Sequence, residues 1–159
     1  MAGLFSRPDC FRPFRVPLVV AAIFFTAAFS FSAPVFCGNE EYSEEAAVFE
    51  AARKFLDAEV RGDHRAVYDC LAPSSYYVRK NSYEQYLSQA LASEDRLVDY
   101  TIVGITYVED NENRDKWPSV EKFAQVVVDL VFLHVPTQQC SEINIGFIFM
   151  KEDGKWFKS

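Results

Sequence analysis

The sequence VEKFAQVVVDLVFLHV, residues 120–135, is rich in β-branched and aromatic residues and lies between polar segments. Such a composition predicts a β-strand. A comparable segment, residues 97–108, precedes it, and two shorter ones, residues 143–150 and 155–158, follow it. The connections are polar, and the last is a tight turn over Glu152-Asp153-Gly154. Successive strands with short polar connections predict an antiparallel meander.

The residues ahead of these strands have helical patterns. Ser43, followed by two glutamates, predicts the N-cap of a first helix, and Gly62 predicts its end. Asp63 then predicts the N-cap of a second helix over residues 64–71. The apolar residues of the first helix recur at helical spacing on one face. They are Val48, Ala52 and Phe55, flanked by Ala51 and Leu56.

A third helix is predicted to begin after Ser82, because Gln85 completes a capping box with it. Its apolar face comprises Tyr83, Tyr86, Leu87, Ala90 and Leu91. Residues 76–78, Tyr-Tyr-Val, are predicted to be a short extended segment. Helices followed by a meander predict an α+β fold with the N-terminal helices packed on one face of the sheet.

The order of these elements resembles the nuclear transport factor 2-like superfamily. The resemblance rests on an Arg-Gly-Asp turn (residues 61–63), a tyrosine-rich third helix, and long strands that close on Glu-Asp-Gly-Lys-Trp (residues 152–156). It covers residues 43–159 and is nearest to small secreted or lipoprotein members from bacteria. It implies a cone-shaped domain, a cystatin-like roll, in which a strongly curved antiparallel sheet and the helices enclose a pocket. Ketosteroid isomerase and scytalone dehydratase are catalytic relatives, whereas others bind small molecules, dimerise or contact proteins, so the fold does not decide the function.

The N-terminus has the composition of a targeting segment. Three arginines precede residues 16–36, which are uncharged, apolar and rich in small residues near their end. This pattern is typical of a secretory signal peptide, with cleavage expected after Ser30 or Ser32. The same run is long enough to span a bilayer, so an uncleaved membrane anchor is the alternative.

Lipidation at Cys37 is a third interpretation of this segment, although Phe36 is larger than the residue that normally precedes a lipidated cysteine. In all three cases residues 37–42 are predicted to be a linker, and residues 43–159 form one domain. The domain is expected to be exported to a periplasmic or other extracytoplasmic location.

The charge balance excludes some partners. The formal net charge is −7. Removal of residues 1–36 takes away three arginines and one aspartate and lowers it to −9. An acidic domain does not attract nucleic acid or an anionic membrane surface. Contact with a membrane is therefore expected only through residues 16–36, if they are retained.

The cysteines beyond residue 36 are Cys37, Cys70 and Cys140. In an oxidising compartment a Cys70–Cys140 disulfide is predicted, because both residues lie in the folded region. The alternative is that Cys70 is a small buried hydrophobic residue. The chain has no CxxC motif and two widely separated histidines, so neither a metal site nor a cofactor is predicted.

Asp129 is the main candidate for chemistry, since it lies within the apolar sequence VVVDLVF. A carboxylate in an apolar pocket has a raised pKa and acts as a general acid or base. The alternative is a solvated strand face that Asp129 shares with Gln125. Asp99 is a second candidate of the same kind.

Tyrosine hydroxyls are the candidate ligand-binding groups, alongside Asp129. Tyr76, Tyr83 and Tyr86, with Tyr77, could supply donors to a pocket. The alternative is that these rings pack at the core or its rim. His64 and His134 are expected at a first helical turn and near a strand end, and are not assigned a catalytic role.

These observations favour an exported, non-enzymatic domain that binds a small apolar ligand or a protein. The protein partner would be a second copy, giving a homodimer, or another envelope protein, because strands that are apolar on both faces must cover both. The alternative is an isomerase- or dehydratase-type enzyme that uses Asp129 together with tyrosine hydroxyls.

Overall fold

The computed structural model describes residues 39–159, with side chains from residue 44 onward. The predicted signal or anchor segment and Cys37 lie outside the described residues. Four helices precede four strands in the described chain. They are α1 Asn39–Arg61, α2 His64–Asp69, α3 Tyr76–Lys80, α4 Tyr83–Ala92, β1 Asp95–Asp110, β2 Val120–His134, β3 Gln139–Glu152 and β4 Lys155–Lys158.

The strands form one antiparallel sheet in the order β1-β2-β3-β4, which confirms the predicted meander and the α+β fold. The β1–β2 ladder has register shifts after Leu97, Ile102 and Ile105. Extra residues of this kind bend a strand and increase its twist. The long strands therefore curl around the helices, as the resemblance implied.

Two residues with positive φ close the last hairpin. Asp153 has φ 49° and Gly154 has φ 71°, a pair of values that a type I′ turn requires. The preceding hairpin is tighter than the sequence predicted, because β3 begins at Gln139, opposite His134, and not at residue 143. Gln138 adopts the left-handed conformation, φ 58°, that permits this early return.

Helix α1 packs its apolar face on the concave face of the sheet. Val48, Ala52 and Leu56 are fully buried there. They share one core with Val126 and Val128 of β2 and with further residues of β3 and β4. The predicted apolar face of this helix is confirmed.

Polar contacts hold both ends of α1 to the sheet. Near its start, Lys151 donates to Glu44 at 2.6 Å, and the Trp156 indole donates to the same carboxylate at 3.1 Å. Near its end, the Tyr100 hydroxyl donates to Asp57 at 2.7 Å. Burial, and then this hydrogen bond, raise the pKa of Tyr100 to about 12.

Two local predictions for the helices are wrong. Helix α1 begins at Asn39, so Ser43 lies inside the helix and residues 39–42 of the predicted linker are helical. No helix-breaking residue separates Asn39 from Ser43. Residues 76–78 are helical in α3, because the Ser75 side chain accepts a hydrogen bond from the Val78 amide and caps the turn. The predicted Asp63 N-cap and the Ser82–Gln85 capping box are both confirmed.

The predicted Cys70–Cys140 disulfide is wrong. Cys70 is a free, buried thiol, in agreement with the alternative interpretation. Cys70 follows α2, and its carbonyl accepts a hydrogen bond from the Lys158 amide. Lys158 of β4 in turn pairs with Phe149 of β3. Cys140 lies about 30 Å further along β3 at about 3.3 Å per residue, far beyond the separation of about 7 Å that a disulfide tolerates. Cys140 is disulfide-bonded, but not to Cys70.

Candidate functional site

A cavity of about 800 Å³ lies between the helices and the concave face of the sheet. Its walls come from all four helices and all four strands, and they combine aliphatic and aromatic side chains with charged and polar ones. The apolar lining includes Phe55, Leu56, Val60, Ala90, Leu97, Leu130, Phe132 and Phe147. Such a cavity can enclose a small organic molecule and remove most of its surface from water.

Glu59 supplies a carboxylate to this cavity. It lies one helical turn after Phe55, on the face of α1 that packs on the sheet. Burial raises the pKa of the Glu59 carboxyl, against the opposing influence of His64 and Lys158. Within the described residues, no hydrogen bond or ion pair is made by this carboxylate.

Lys158 supplies an ammonium group from the opposite side. Residues 156 and 158 share one face of β4, so Lys158 points toward the same interior as the core residue Trp156. Its Nζ atom lies 5.3 Å from the centre of the Phe147 ring and donates to the Ser159 carbonyl. Burial lowers the pKa of Lys158, although Glu59 acts in the other direction.

Tyr86, one of the candidate ligand-binding residues, lines the cavity from α4. It is half-buried in a cluster of aromatic rings, 5.5 Å from Tyr68, 6.3 Å from Tyr77 and 6.4 Å from His64 between ring centres. Burial, followed by the charge of Glu59, raises its pKa well above the ordinary value. The Tyr86 hydroxyl therefore stays protonated and can donate to a bound molecule.

Asp129 does not line the cavity, so its predicted role as a pocket carboxylate is wrong. Its neighbours Val128 and Leu130 are buried against the helices. Because side chains alternate along a strand, Asp129 points to the outer, solvated face. There its carboxylate accepts a hydrogen bond from the Asn144 side chain at 2.7 Å.

Three further predicted residues also lie away from the cavity. Asp99 is exposed and accepts a hydrogen bond from the adjacent Tyr100 amide. Tyr76 is 76% exposed. The ring of Tyr83 packs against Tyr68 at 5.4 Å. Of these tyrosines only Tyr77, whose hydroxyl donates to Gln89 at 2.8 Å, joins Tyr86 in the lining.

The two histidines have different surroundings. His64 lines the cavity beside Tyr86. His134 lies at the end of β2, where its Nδ1 atom is 2.9 Å from Asp95 and its Nε2 atom is 3.8 Å from Glu94. Within residues 39–159 no group of histidine, cysteine and acidic side chains is arranged to hold a metal ion. No helix of this part of the chain is long and apolar enough to cross a bilayer.

Glu59 and Lys158 were missed in the sequence, although each gave a signal. Glu59 follows Phe55 by four residues and therefore falls on the apolar face of its helix. Lys158 follows Trp156 by two residues and therefore falls on the face of the strand that carries the tryptophan. In both cases a charged residue occupies a position that the helix or strand periodicity assigns to the apolar face.

Comparison with solved structures identifies this architecture. The chain is similar to the crystal structure of a ketosteroid isomerase-like protein from Erwinia carotovora atroseptica SCRI1043, with a TM-score of 0.51. The chain therefore has a ketosteroid isomerase-like fold. The likeness covers 76% of this chain and 92% of that chain at 17% sequence identity, so it establishes the fold alone. No protein-family model and no curated protein matches the chain.

Proposed function

We propose that the chain is an exported, non-enzymatic domain that binds a small, mostly apolar molecule between α1, α4 and the concave face of the sheet. The cavity of about 800 Å³ carries this proposal. Its size lies within the range of about 300–1,000 Å³ that is usual for small-molecule sites. Its lining has an apolar part that can enclose the body of a ligand, and polar and charged side chains that can fix its orientation, as in other small-molecule sites.

A cavity-filling substitution tests this proposal. The Ala90→Trp variant places an indole in the cavity from α4, whereas Ser88→Trp places the same group on the exposed side of that helix. We expect the neutral fluorescent probe N-phenylnaphthylamine to bind the unmodified domain and Ser88→Trp equally. Binding to Ala90→Trp should be weaker by at least about tenfold, because overlap with the cavity removes the apolar contacts. Equal binding to all three proteins would place the probe elsewhere and contradict the proposal.

Export is a separate part of the proposal, and it rests on the sequence pattern of the N-terminus. The intact mass of the protein recovered from cells tests it. A signal peptide predicts a mature start just after Ser30 or Ser32, whereas a retained anchor predicts the full mass. Recovery of the full-length chain from the cytoplasmic fraction would contradict export.

A protein-contact role for the same domain is favoured by the first half of β3. Ile143 and Ile145 pair with Leu130 and Val128 and therefore lie on the concave face of the sheet. They are nevertheless 45% and 38% exposed. Exposed apolar side chains beside a core suggest a surface that a second copy or an envelope protein covers.

An isomerase-type activity is the other candidate function, now based on Glu59 in place of Asp129. The observation that favours it is a carboxyl of raised pKa in the same cavity as the Tyr86 hydroxyl. Such a pair would exchange a proton on the carbon next to a carbonyl group. NMR in deuterated water tests this with cyclic ketones. Deuterium uptake that Glu59→Gln abolishes would support catalysis, and no uptake above the buffer rate would contradict it.

A further inference from the structure

We propose that the cavity selects a lipophilic amine, with Glu59 binding the ammonium group and the aromatic and aliphatic walls enclosing the apolar body. This inference rests on the proposed ligand-binding function and adds the chemical class of the ligand. A charged carboxylate in an apolar cavity is costly unless a partner of opposite charge neutralises it. Glu59 has no such partner by hydrogen bond or ion pair within the described residues.

The position of Glu59 makes it available to a molecule inside the cavity. It lines the cavity together with Phe55 and Leu56 on the side of α1 that faces the sheet. The polar contacts described between α1 and the sheet use Glu44 and Asp57, so Glu59 is not needed for this attachment. Its carboxylate is thus placed for binding without a structural partner.

Aromatic rings line the same cavity as the Glu59 carboxylate. Phe55 and Phe147 meet edge to face with ring centres 5.8 Å apart, and Phe132, Tyr77 and Tyr86 also line the cavity. The faces of such rings attract organic cations as well as apolar groups. The net charge of −7 further favours the approach of a cation over that of an anion.

Lys158 favours the opposite ligand, an apolar carboxylate, as do Arg61 and Arg96, two exposed residues that also line the cavity. The ammonium group of Lys158, however, already donates to the Ser159 carbonyl and lies over the Phe147 ring. Glu59 has no comparable partner within the described residues. Of Glu59 and Lys158, the carboxylate is therefore the group that lacks a hydrogen bond, and a cationic ligand would supply one.

Three ligands that share one alkyl chain test the choice: dodecylamine, dodecanol and dodecanoate, below their aggregation concentrations. We expect calorimetry at neutral pH to give an affinity for the amine at least about tenfold above that for the alcohol, since a charge-assisted hydrogen bond is added. The Glu59→Gln variant should lose this preference and keep the affinity for dodecanol. The Glu45→Gln variant removes an exposed glutamate of the same helix and should change neither.

The Lys158→Met variant separates the two ligand classes. It should leave the amine bound at least as tightly, because it removes a nearby positive charge. Tighter binding of dodecanoate than of dodecylamine, with loss of the former in Lys158→Met, would overturn the inference. Equal binding of dodecanol and dodecylamine would also overturn it while leaving the proposed ligand-binding function intact. If none of the three ligands nor N-phenylnaphthylamine binds, the proposed function itself fails.

Discussion

Glu44 and Glu59 are two glutamates of the same helix whose surroundings move their pKa values in opposite directions. The hydrogen bond from Lys151, followed by that from Trp156, holds the pKa of Glu44 below its ordinary value against the effect of burial. Burial raises the pKa of Glu59, and no hydrogen bond within the described residues opposes this rise. We interpret the first as a group that stabilises the fold and the second as a group retained for binding.

Substitution Glu44→Gln should lower the free energy of unfolding by about 1–3 kcal/mol at neutral pH, the usual loss for a hydrogen-bonded charge. A lowered pKa in the folded state means that the stabilisation is present above the ordinary value of 4.5 and is lost as the pH falls through the folded value. Urea unfolding at several pH values should therefore show the difference shrinking below pH 4.5. The control is Glu45→Gln, which alters the exposed neighbouring glutamate. An equal loss of unfolding free energy in both variants would contradict this assignment.

Substitution Glu59→Gln should have the opposite effect on stability. A carboxyl whose pKa is raised in the folded state stabilises the fold fully below the ordinary value of 4.5, and this contribution is lost as the pH rises through the folded value. The neutral amide should therefore raise the free energy of unfolding at neutral pH, by on the order of 1 kcal/mol, with no difference at acid pH. His64 and Lys158 are the titratable groups that influence this carboxyl, and both oppose the effect of burial. A destabilised Glu59→Gln at neutral pH would contradict the assignment.

Among single residues, the sequence singled out Tyr86, which lines the cavity, and Asp129, which does not. The apolar neighbours of Asp129 along the chain suggested a buried site. A strand, however, sends successive side chains to opposite faces, so a charged residue between two buried ones is exposed. Glu59 was missed because its apolar neighbours are four residues away along a helix, not adjacent in the sequence.

At the scale of elements, the helix and strand boundaries follow from local hydrogen bonds that composition only partly reveals. Ser82 and Gln85 were predicted as a capping box because both partners are visible in the sequence. The Ser75 cap was missed because it lies two residues after a proline and directly before two tyrosines, which favour strands. The β2–β3 turn was predicted too long because the left-handed conformation of Gln138 has no strong signal in the sequence.

The β3–β4 hairpin gives a test at this scale. Gly154 has φ 71°, so the substitution Gly154→Ala should cost about 1–2 kcal/mol of unfolding free energy, the strain of a left-handed L-residue. The control is Gly104→Ala in β1, where an added Cβ meets nothing within 4 Å and φ is not positive. Thermal unfolding followed by circular dichroism should show a lower Tm for Gly154→Ala alone. Equal shifts in both variants would contradict the turn assignment.

At the scale of the whole molecule, the curved sheet leaves apolar side chains on the first half of β3 exposed. Ile143 and Ile145 continue the concave face beyond the part that α1 covers. The sequence indicated that both faces of the strands need a cover. It did not indicate which part would stay exposed, because the length of each helix relative to the strands decides this.

Self-association through this region is expected to depend on concentration. The double substitution Ile143→Ser and Ile145→Ser should reduce it by removing the apolar contact area. Gel filtration with light scattering measures the effect. The control is Val103→Ser, which alters a 58% exposed valine of β1. A monomer at every concentration, or an oligomer that the double substitution does not affect, would contradict this prediction.

Native mass spectrometry of the protein, purified gently from the cells that make it, shows directly whether the cavity holds a ligand. We expect the mass of the polypeptide plus one small molecule, and we expect collisional activation to release that molecule. The molecule should be retained by Ser88→Trp and lost from Ala90→Trp. A mass equal to the polypeptide alone in all three proteins, with no uptake of the neutral probe in solution, would contradict a ligand-binding function for this cavity.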